Sequence, residues 1–227
     1  MIKLIAFDMD GVVIDSMPRL REIGIEIFQE ELHINQSTAK NYYDCTVGLP
    51  FKKQLDAIWP ELKPSMRVND AVAHRYEKLH IESCKDFCVA KGFTDIMRCM
   101  KTITPTRYPH GVMSTALVSS TNRYVIYKHL PQVMELDFDF VMGRSSVWSP
   151  LPNGRSTFTD CLDKAQQIST LMYVLNIKAS EVHYIGDSEQ DAIYAEQLGV
   201  VFSYATHKSL TALSTSTGQK LVEFLKL

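Results

Sequence analysis

Two carboxylates stand two residues apart in FDMDGVVIDS, at Asp8 and Asp10, directly after the apolar run Ile2 to Phe7. A second pair, Asp187 and Asp191, lies in GDSEQD, one helical turn apart if the segment after Asp187 is helical. Carboxylates gathered in one place repel each other and take up protons unless a cation holds them ionised. Mg2+ suits such a half-shell, because it is typically bound by one or two carboxylates, retained waters and phosphate oxygens. Acids grouped around Mg2+ point to phosphoryl chemistry. One carboxylate can accept the phosphoryl group while its neighbour moves the proton.

For that chemistry the four acids must meet, and the pattern of elements supplies a way. Ile2 to Phe7 is nearly continuous in apolar residues, as expected of a strand buried on both faces. Thr115 to Ser119, Phe138 to Met142, Val182 to Ile185 and Val200 to Tyr204 have the same character. Helical signals lie between them at Asn122 to Leu130, Cys161 to Leu175 and Glu189 to Leu198, the last closed by Gly199. Strands alternating with helices predict an α/β protein with a Rossmann-like parallel sheet core. Ligands of such sheets bind beyond the carboxyl ends of the strands, where the strand order reverses. Asp8, Asp10 and Asp187 all fall at such ends.

The first crossover breaks the alternation. No strand is evident from Ser16 to about Thr115, whereas Leu20, Ile23, Ile27, Phe28 and Leu32, and later Val72, Tyr76 and Leu79, recur at helical spacing. Pro18 sits where a first-turn proline is tolerated. The sequence therefore predicts an all-helical cap at 16–88, inserted into a catalytic core formed by 1–15 and 89–227. Gly92 to Met100 would be the helix that returns the chain to the core, and SPLPNGRST (149–157) reads as a turn-rich surface loop.

Composition narrows the partners. A chain of 227 residues, 45% hydrophobic and 22% charged, is long enough for one substantial core and a smaller accessory unit. A net charge of -2 leaves no excess of basic residues for a nucleic-acid backbone, so none is expected as a partner. No apolar run reaches the roughly 18 to 20 residues of a membrane span, and the N-terminal run is too short for a signal peptide. The five cysteines, Cys45, Cys84, Cys88, Cys99 and Cys161, are odd in number and scattered, which predicts a reducing, cytoplasmic setting. His80, Cys84 and Cys88 recur every four residues but lack a fourth ligand, so they read as a helix face rather than a metal site. DMDG could also begin a calcium loop, but that loop needs further ligands, a late Glu and flanking helices, and an apolar strand precedes it here.

Taken in order, FDMDG, ALVSSTNR, the lysine of LDKAQ and GDSEQD resemble the motifs of the haloacid dehalogenase-like (HAD) hydrolases. The likeness is to the phosphatase type with a helical cap, which includes phosphoglycolate phosphatase and β-phosphoglucomutase. The resemblance implies that Asp8 is the nucleophile that becomes an aspartyl-phosphate. It makes Asp10 the acid/base that protonates the leaving oxygen and then activates water. Ser119, with Ser120 beside it, would hold phosphoryl oxygens.

Lys164 would offset negative charge, in preference to Lys178, although LDKAQ departs from the GKPxP-like string of many relatives. Mg2+ would be held by Asp8, the backbone carbonyl of Asp10 and Asp187, with Asp191 acting in a second shell or through water. The function implied is a Mg2+-dependent phosphomonoesterase acting on a small phosphorylated metabolite. The alternatives are a sugar phosphomutase of the same family and a non-catalytic phosphate- or partner-binding protein. Mutases carry a cap histidine after the first motif and a basic residue in a cap loop, where Leu20 and Phe51 stand here. Lys52 and Lys53 adjoin the second position and could bind substrate. Specificity is expected to reside in 16–88, and the choice between monomer and homodimer stays open.

Overall fold

The computed structural model describes residues 1–58, 66–90, 92–107, 113–144, 147–150, 156–159, 163–206, 208–210 and 223. Its strands, in chain order, are β1 (Leu4–Asp8), β2 (Ser114–Val118), β3 (Phe140–Val141), β4 (Val147–Pro150), β5 (Ser156–Thr159), β6 (Val182–Gly186) and β7 (Val201–Tyr204). Five of them form one parallel sheet in the order β3-β2-β1-β6-β7. The chain builds outward from β1 through β2 to β3, then crosses back to β6 on the other side of β1. The order reverses beside β1, so the crevice expected to take a ligand opens at its carboxyl end.

Every residue of β1 is buried, and the reason is the period of two along a strand. Ile5 and Phe7 pack into one core with Phe93, Ile96 and Leu117. Leu4 and Ala6 face the opposite core, with Ile168, Leu171 and Tyr184. A strand covered on both faces needs apolar residues at every position. Truncating Phe7, which is fully buried and edge-on to Phe93 at 5.1 Å between centroids, costs about 3 to 5 kcal/mol. Register places Asp8 opposite Val118, so the residues after β2 stand beside the acids of β1.

Helices α1 (Met17–Leu32), α2 (Gln36–Thr46), α3 (Phe51–Ile58) and α4 (Met66–Ser83) occupy the connection from β1 to β2. They bury a cluster of their own that includes Ile23, Ile27, Phe28, Tyr43, Leu55 and Val72. Phe28, Phe51 and Tyr76 stack in series, with centroids 5.3 and 3.9 Å apart. Leu20 departs from this pattern, for it packs into the core of the sheet and ties the start of α1 to it.

The chain returns through α5 (Phe93–Arg107), followed by α6 (Arg123–His129), α7 (Pro131–Met134), α8 (Lys164–Leu175) and α9 (Glu189–Leu198). Helix α9 has the expected bounds, and Gly199 caps it in the left-handed region at φ 67°. No helix among the described residues is long and apolar enough to cross a membrane.

The loop reading of 149–157 requires correction. Ser149 and Pro150 end β4, and Ser156 and Thr157 begin β5, which pairs with it antiparallel from Val147↔Thr159 to Pro150↔Ser156. The turn residues of that segment are flanked by strand formers, Val147 and Trp148 before and Thr157, Phe158 and Thr159 after. Residues 151–155, and Cys161 with the expected start of α8, lie outside the described residues.

Candidate active site

Asp8 ends β1 in an almost closed environment, 3% exposed, and its Oδ1 accepts a hydrogen bond from the Met9 N–H at 2.8 Å. The chain then turns through Gly11, whose φ of 82° lies in the region an L side chain rarely adopts. Asp10 is held at both oxygens: Ser16 Oγ donates to Oδ1 at 2.6 Å and Thr121 Oγ1 to Oδ2 at 3.2 Å. The two acids of FDMDG are thus oriented by different elements, one by the strand and the other by hydroxyls from the start of α1 and the loop after β2.

Lys164 is the first residue of α8, where Asp163 and Gln166 form a capping box that fixes the start of the helix. Its side chain is 4% exposed, and Nζ lies 2.8 Å from Asp8 Oδ1 and 2.8 Å from Asp191 Oδ1. Tyr184 OH also donates to Asp191 Oδ1, while Ser188 donates to Oδ2 from Oγ at 2.6 Å and from its N–H at 3.2 Å. Both oxygens of Asp191 are therefore committed to protein donors. Its role in this arrangement is to hold Lys164 against Asp8. Lys178 is exposed and immediately precedes the turn 179–181.

The electrostatics follow from burial. Burial pushes the Asp8 carboxyl well above the usual carboxylate range; Lys164 opposes this, and Asp191, Asp187 and Asp10 add to it. Burial also raises Asp187, to about 7, helped by repulsion from Asp191 and Asp10 and opposed by Lys164. Burial by itself would lower Lys164, but Asp191 and Asp8 outweigh it and keep the ammonium charged above the ordinary lysine value. Asp191 is likewise penalised by burial, yet Lys164, Ser188 and Tyr184 hold it below the usual range.

One lysine for this many acids leaves the cluster short of positive charge. Ligand atoms of Asp8, Asp187 and Asp191 lie within 4.8 Å of one another, the one such group found among the described residues. A Cβ on Gly11 would fall 2.0 Å from Asp187 Oδ2, so the space beside Asp187 exists because residue 11 is glycine. The donor set fits a hard divalent cation held by Asp8 and Asp187, with Asp191 engaged elsewhere.

Two cavities meet over the strand ends, and Asp10 and Ser120 line both. The smaller, about 280 Å³, is bounded by Asp8, Lys164, Asp187 and Ser188 from the sheet side and by Met17, Tyr43, Val47 and Gly48 from the helical insert. The larger, about 640 Å³, is bounded by residues of α1, α3 and α4 and by Ser120, Thr121, Asn122 and Arg144. Ser119 is fully buried and lines neither cavity; its Oγ accepts from the Thr121 N–H at 2.9 Å. Gln167 locks the same loop, donating to Ser119 O at 2.9 Å and accepting from Ser119 N–H at 3.2 Å. Lys52 lines the larger cavity and pairs with Asp70, whereas Lys53 is exposed and lines neither.

A family model for haloacid dehalogenase-like hydrolases matches residues 5–205, most of the chain. The chain belongs to the haloacid dehalogenase-like hydrolases.

Solved structures share the HAD fold at low identity. A HAD-like hydrolase from Streptococcus pneumoniae is 15% identical, with 98% of each chain covered and a TM-score of 0.62. A protein provisionally described as a phosphoglycolate phosphatase from Lactobacillus plantarum is 14% identical, with 99% of each chain covered and a TM-score of 0.65. CbbY from Rhodobacter sphaeroides is 14% identical over 91% of this chain and 87% of its own, with a TM-score of 0.60. It was solved in complex with phosphate and, as a mutant, with xylulose-(1,5)bisphosphate. Among curated proteins, none matches this sequence.

Several residues of this HAD site escape a motif reading. Ser16, Thr121, Gln167 and Tyr184 orient Asp10, the loop after β2 and Asp191, but nothing in their spacing marks them. Ser188 had a signal: Ser188 and Asp191 form the capping box that opens α9, so GDSEQD is also a helix start. His80 is buried in the wall of the larger cavity, but the helix face expected for His80, Cys84 and Cys88 is not formed: α4 ends at Ser83, the buried Cys84 begins the short turn 84–86, and the exposed Cys88 follows it outside any helix.

Proposed function

We propose that the protein is a Mg2+-dependent phosphomonoesterase that hydrolyses a small phosphorylated metabolite through an aspartyl-phosphate on Asp8. The observation that carries this reading is the Lys164 Nζ contact with Asp8 Oδ1 at 2.8 Å, beside an Asp10 that is held separately by Ser16 and Thr121. Two acids of unlike environment, two residues apart, suit a nucleophile and a proton carrier.

Asp8 Oδ1 is engaged by Met9 and Lys164, which leaves Oδ2 for attack. As the Oδ2–phosphorus bond forms, the bond from phosphorus to the ester oxygen breaks, and Asp10 gives its proton to that oxygen. Asp10, now ionised, takes a proton from water; the resulting hydroxide attacks phosphorus, inorganic phosphate leaves and Asp8 is restored. Lys164 stays protonated throughout and offsets charge on Asp8 and the phosphoryl oxygens. Ser120, which lines both cavities, supplies a donor to those oxygens, while the buried Ser119 hydroxyl holds the loop behind it through the Thr121 N–H. Mg2+ held by Asp8 and Asp187, with the Asp10 carbonyl, would supply Lewis-acid stabilisation of the transferring group.

Residues 16–88 act in this reading as a cap over a core of 1–15 and 89–227, excluding water and setting specificity. The complexes of CbbY with phosphate and a bisphosphorylated sugar support a phosphorylated substrate here. Free Cys45, Cys84, Cys88 and Cys99 support a reducing, cytoplasmic setting.

Incubation of the purified chain with an aryl phosphate and Mg2+ tests the proposal. Release of phosphate that stops on chelation and in Asp8→Asn is expected. Turnover that survives either change contradicts it, a requirement for a bisphosphorylated activator points to a mutase, and phosphate binding without turnover points to a binding protein.

A further inference from the structure

The mechanism leaves one enclosed cation without a task. Arg144 follows β3, and its main chain is fixed to the loop after β2. Its N–H donates to Thr121 O at 2.9 Å, and its carbonyl accepts from the Arg123 N–H at 3.0 Å. Gly143, just before it, packs so closely that a Cβ would stand 2.8 Å from Arg123 Cα. The guanidinium therefore springs from an anchored backbone and lines the larger cavity beside Ser120 and Thr121.

Its ion-pair partner is Glu77 of α4; the Arg144 side chain is 24% exposed and that of Glu77 38%. Glu77 is the better solvated of the two, so an incoming anion can replace it and release it to water at small cost. The guanidinium fork matches carboxylate and phosphoryl oxygens equally and gains most where water is excluded. Lys52, the other strong base of the cavity, is a flexible ammonium that is 51% exposed and paired with Asp70. His80 lines the cavity, is 6% exposed, and its Nε2 has no hydrogen-bond partner among the described residues.

We propose that Arg144 selects substrates that carry a second anionic group, a carboxylate or a phosphoryl group, at the end remote from the phosphorus attacked by Asp8, and that Glu77 holds its place until substrate enters. Which end is attacked rests on the phosphatase reading; the anion preference does not.

Calorimetric titration of the full chain with Mg2+, using phosphonates that cannot be hydrolysed, separates the two. Propylphosphonate is compared with 3-phosphonopropionate and with propane-1,3-bisphosphonate. The wild type is expected to bind at least one of the doubly anionic ligands about 10- to 100-fold tighter than propylphosphonate, the range for a charge-assisted hydrogen bond. Which of the two gains more identifies the anion.

In Arg144→Ala that ratio should fall to within about 3-fold of unity. Arg144→Lys should keep part of it, and Glu77→Gln should increase it. The lysine and Glu77 variants keep the test decisive if Arg144→Ala does not fold. Equal binding of all three ligands by the wild type overturns the proposal. So does a ratio that survives in Arg144→Ala, or one that is lost only in Lys52→Ala. Failure to hydrolyse an aryl phosphate, measured separately, would count against the phosphatase reading and leave the binding ratios decisive for Arg144.

Discussion

Gly11 and Asp187 stand so close that a methyl group on Gly11 would lie 2.0 Å from Asp187 Oδ2. The turn after β1 and the turn after β6 are therefore fitted to each other across the sheet, and glycine serves as the spacer. Gly11→Ala would impose a side chain at φ 82°, costing about 1 to 2 kcal/mol, and would also displace Asp187. Mg2+ affinity, measured by calorimetry, is expected to drop along with melting temperature. A variant that melts lower but binds Mg2+ as before would separate the backbone effect from the carboxylate.

Lys164 is the counter-charge for two buried acids. Lys164→Met leaves Asp8 and Asp191 facing each other without it, and loss of one partner from a buried ion pair typically costs about 3 to 5 kcal/mol. Urea unfolding of the variant is expected to show that loss, with phosphatase activity reduced at least 100-fold by the order-of-magnitude scale of a lost electrostatic donor. Lys164→Arg should not preserve activity despite keeping the charge, because a planar guanidinium cannot occupy the ammonium position between two Oδ1 atoms. An unfolding midpoint of Lys164→Met equal to that of the wild type would contradict the role assigned to the lysine.

Asp8 and Asp10 should fail differently. Asp8→Asn removes the nucleophile and abolishes phosphoenzyme formation. Asp10→Asn removes proton transfer, worth about 100- to 10,000-fold, and the loss should be larger for an alkyl phosphate than for a nitrophenyl phosphate, whose leaving group needs no proton. Rapid-quench detection of acid-stable phosphoprotein from nitrophenyl phosphate should find it in the wild type, more of it in Asp10→Asn, and none in Asp8→Asn. An equal loss on both substrates would remove Asp10 from the role of acid.

Asp187 links pH, stability and metal. Its carboxyl titrates near 7 in the folded protein against an ordinary 3.8, so between these values the folded state holds a proton that the unfolded state has released. Stability of the metal-free protein therefore falls as pH rises through that window, the opposite of a salt-bridged acid. The melting temperature of the wild type is expected to decline from about pH 4 to about pH 7 relative to Asp187→Asn, and Mg2+ should remove the difference above about pH 7. Mg2+ binding near about pH 6 should release a proton, measurable by calorimetry in buffers of different ionisation enthalpy. A wild type and Asp187→Asn that melt in parallel across the window would rule out the raised carboxyl.

Much of this arrangement could be read along the chain because it is local or periodic. The continuous apolar run before Asp8 marks a strand buried on both faces, and the capping residues and Gly199 mark the bounds of α9. The order of the acidic motifs placed Asp8 and Asp187 on strand ends. The hairpin of β4 and β5 was hidden because its turn residues outweighed short flanking strands. Lys53 was indistinguishable from Lys52 in sequence, yet one residue is a rotation of about 100° around a helix, and only Lys52 turns to the cavity.

The sequence by itself determined the types of the reacting groups, their order, and the strand and helix that carry each, because apolar period, caps and glycine punctuation are properties of neighbouring residues. Tertiary structure decided what those groups face. Asp191 is bound at both oxygens by Lys164, Tyr184 and Ser188, Thr121 reaches Asp10 from 111 residues away, and Arg144 meets Glu77 across the cavity. Hydrogen bonds and ion pairs of that kind act over about 3 Å in space and carry no signature in chain spacing, so only the folded sheet and the helices above it bring the partners into reach.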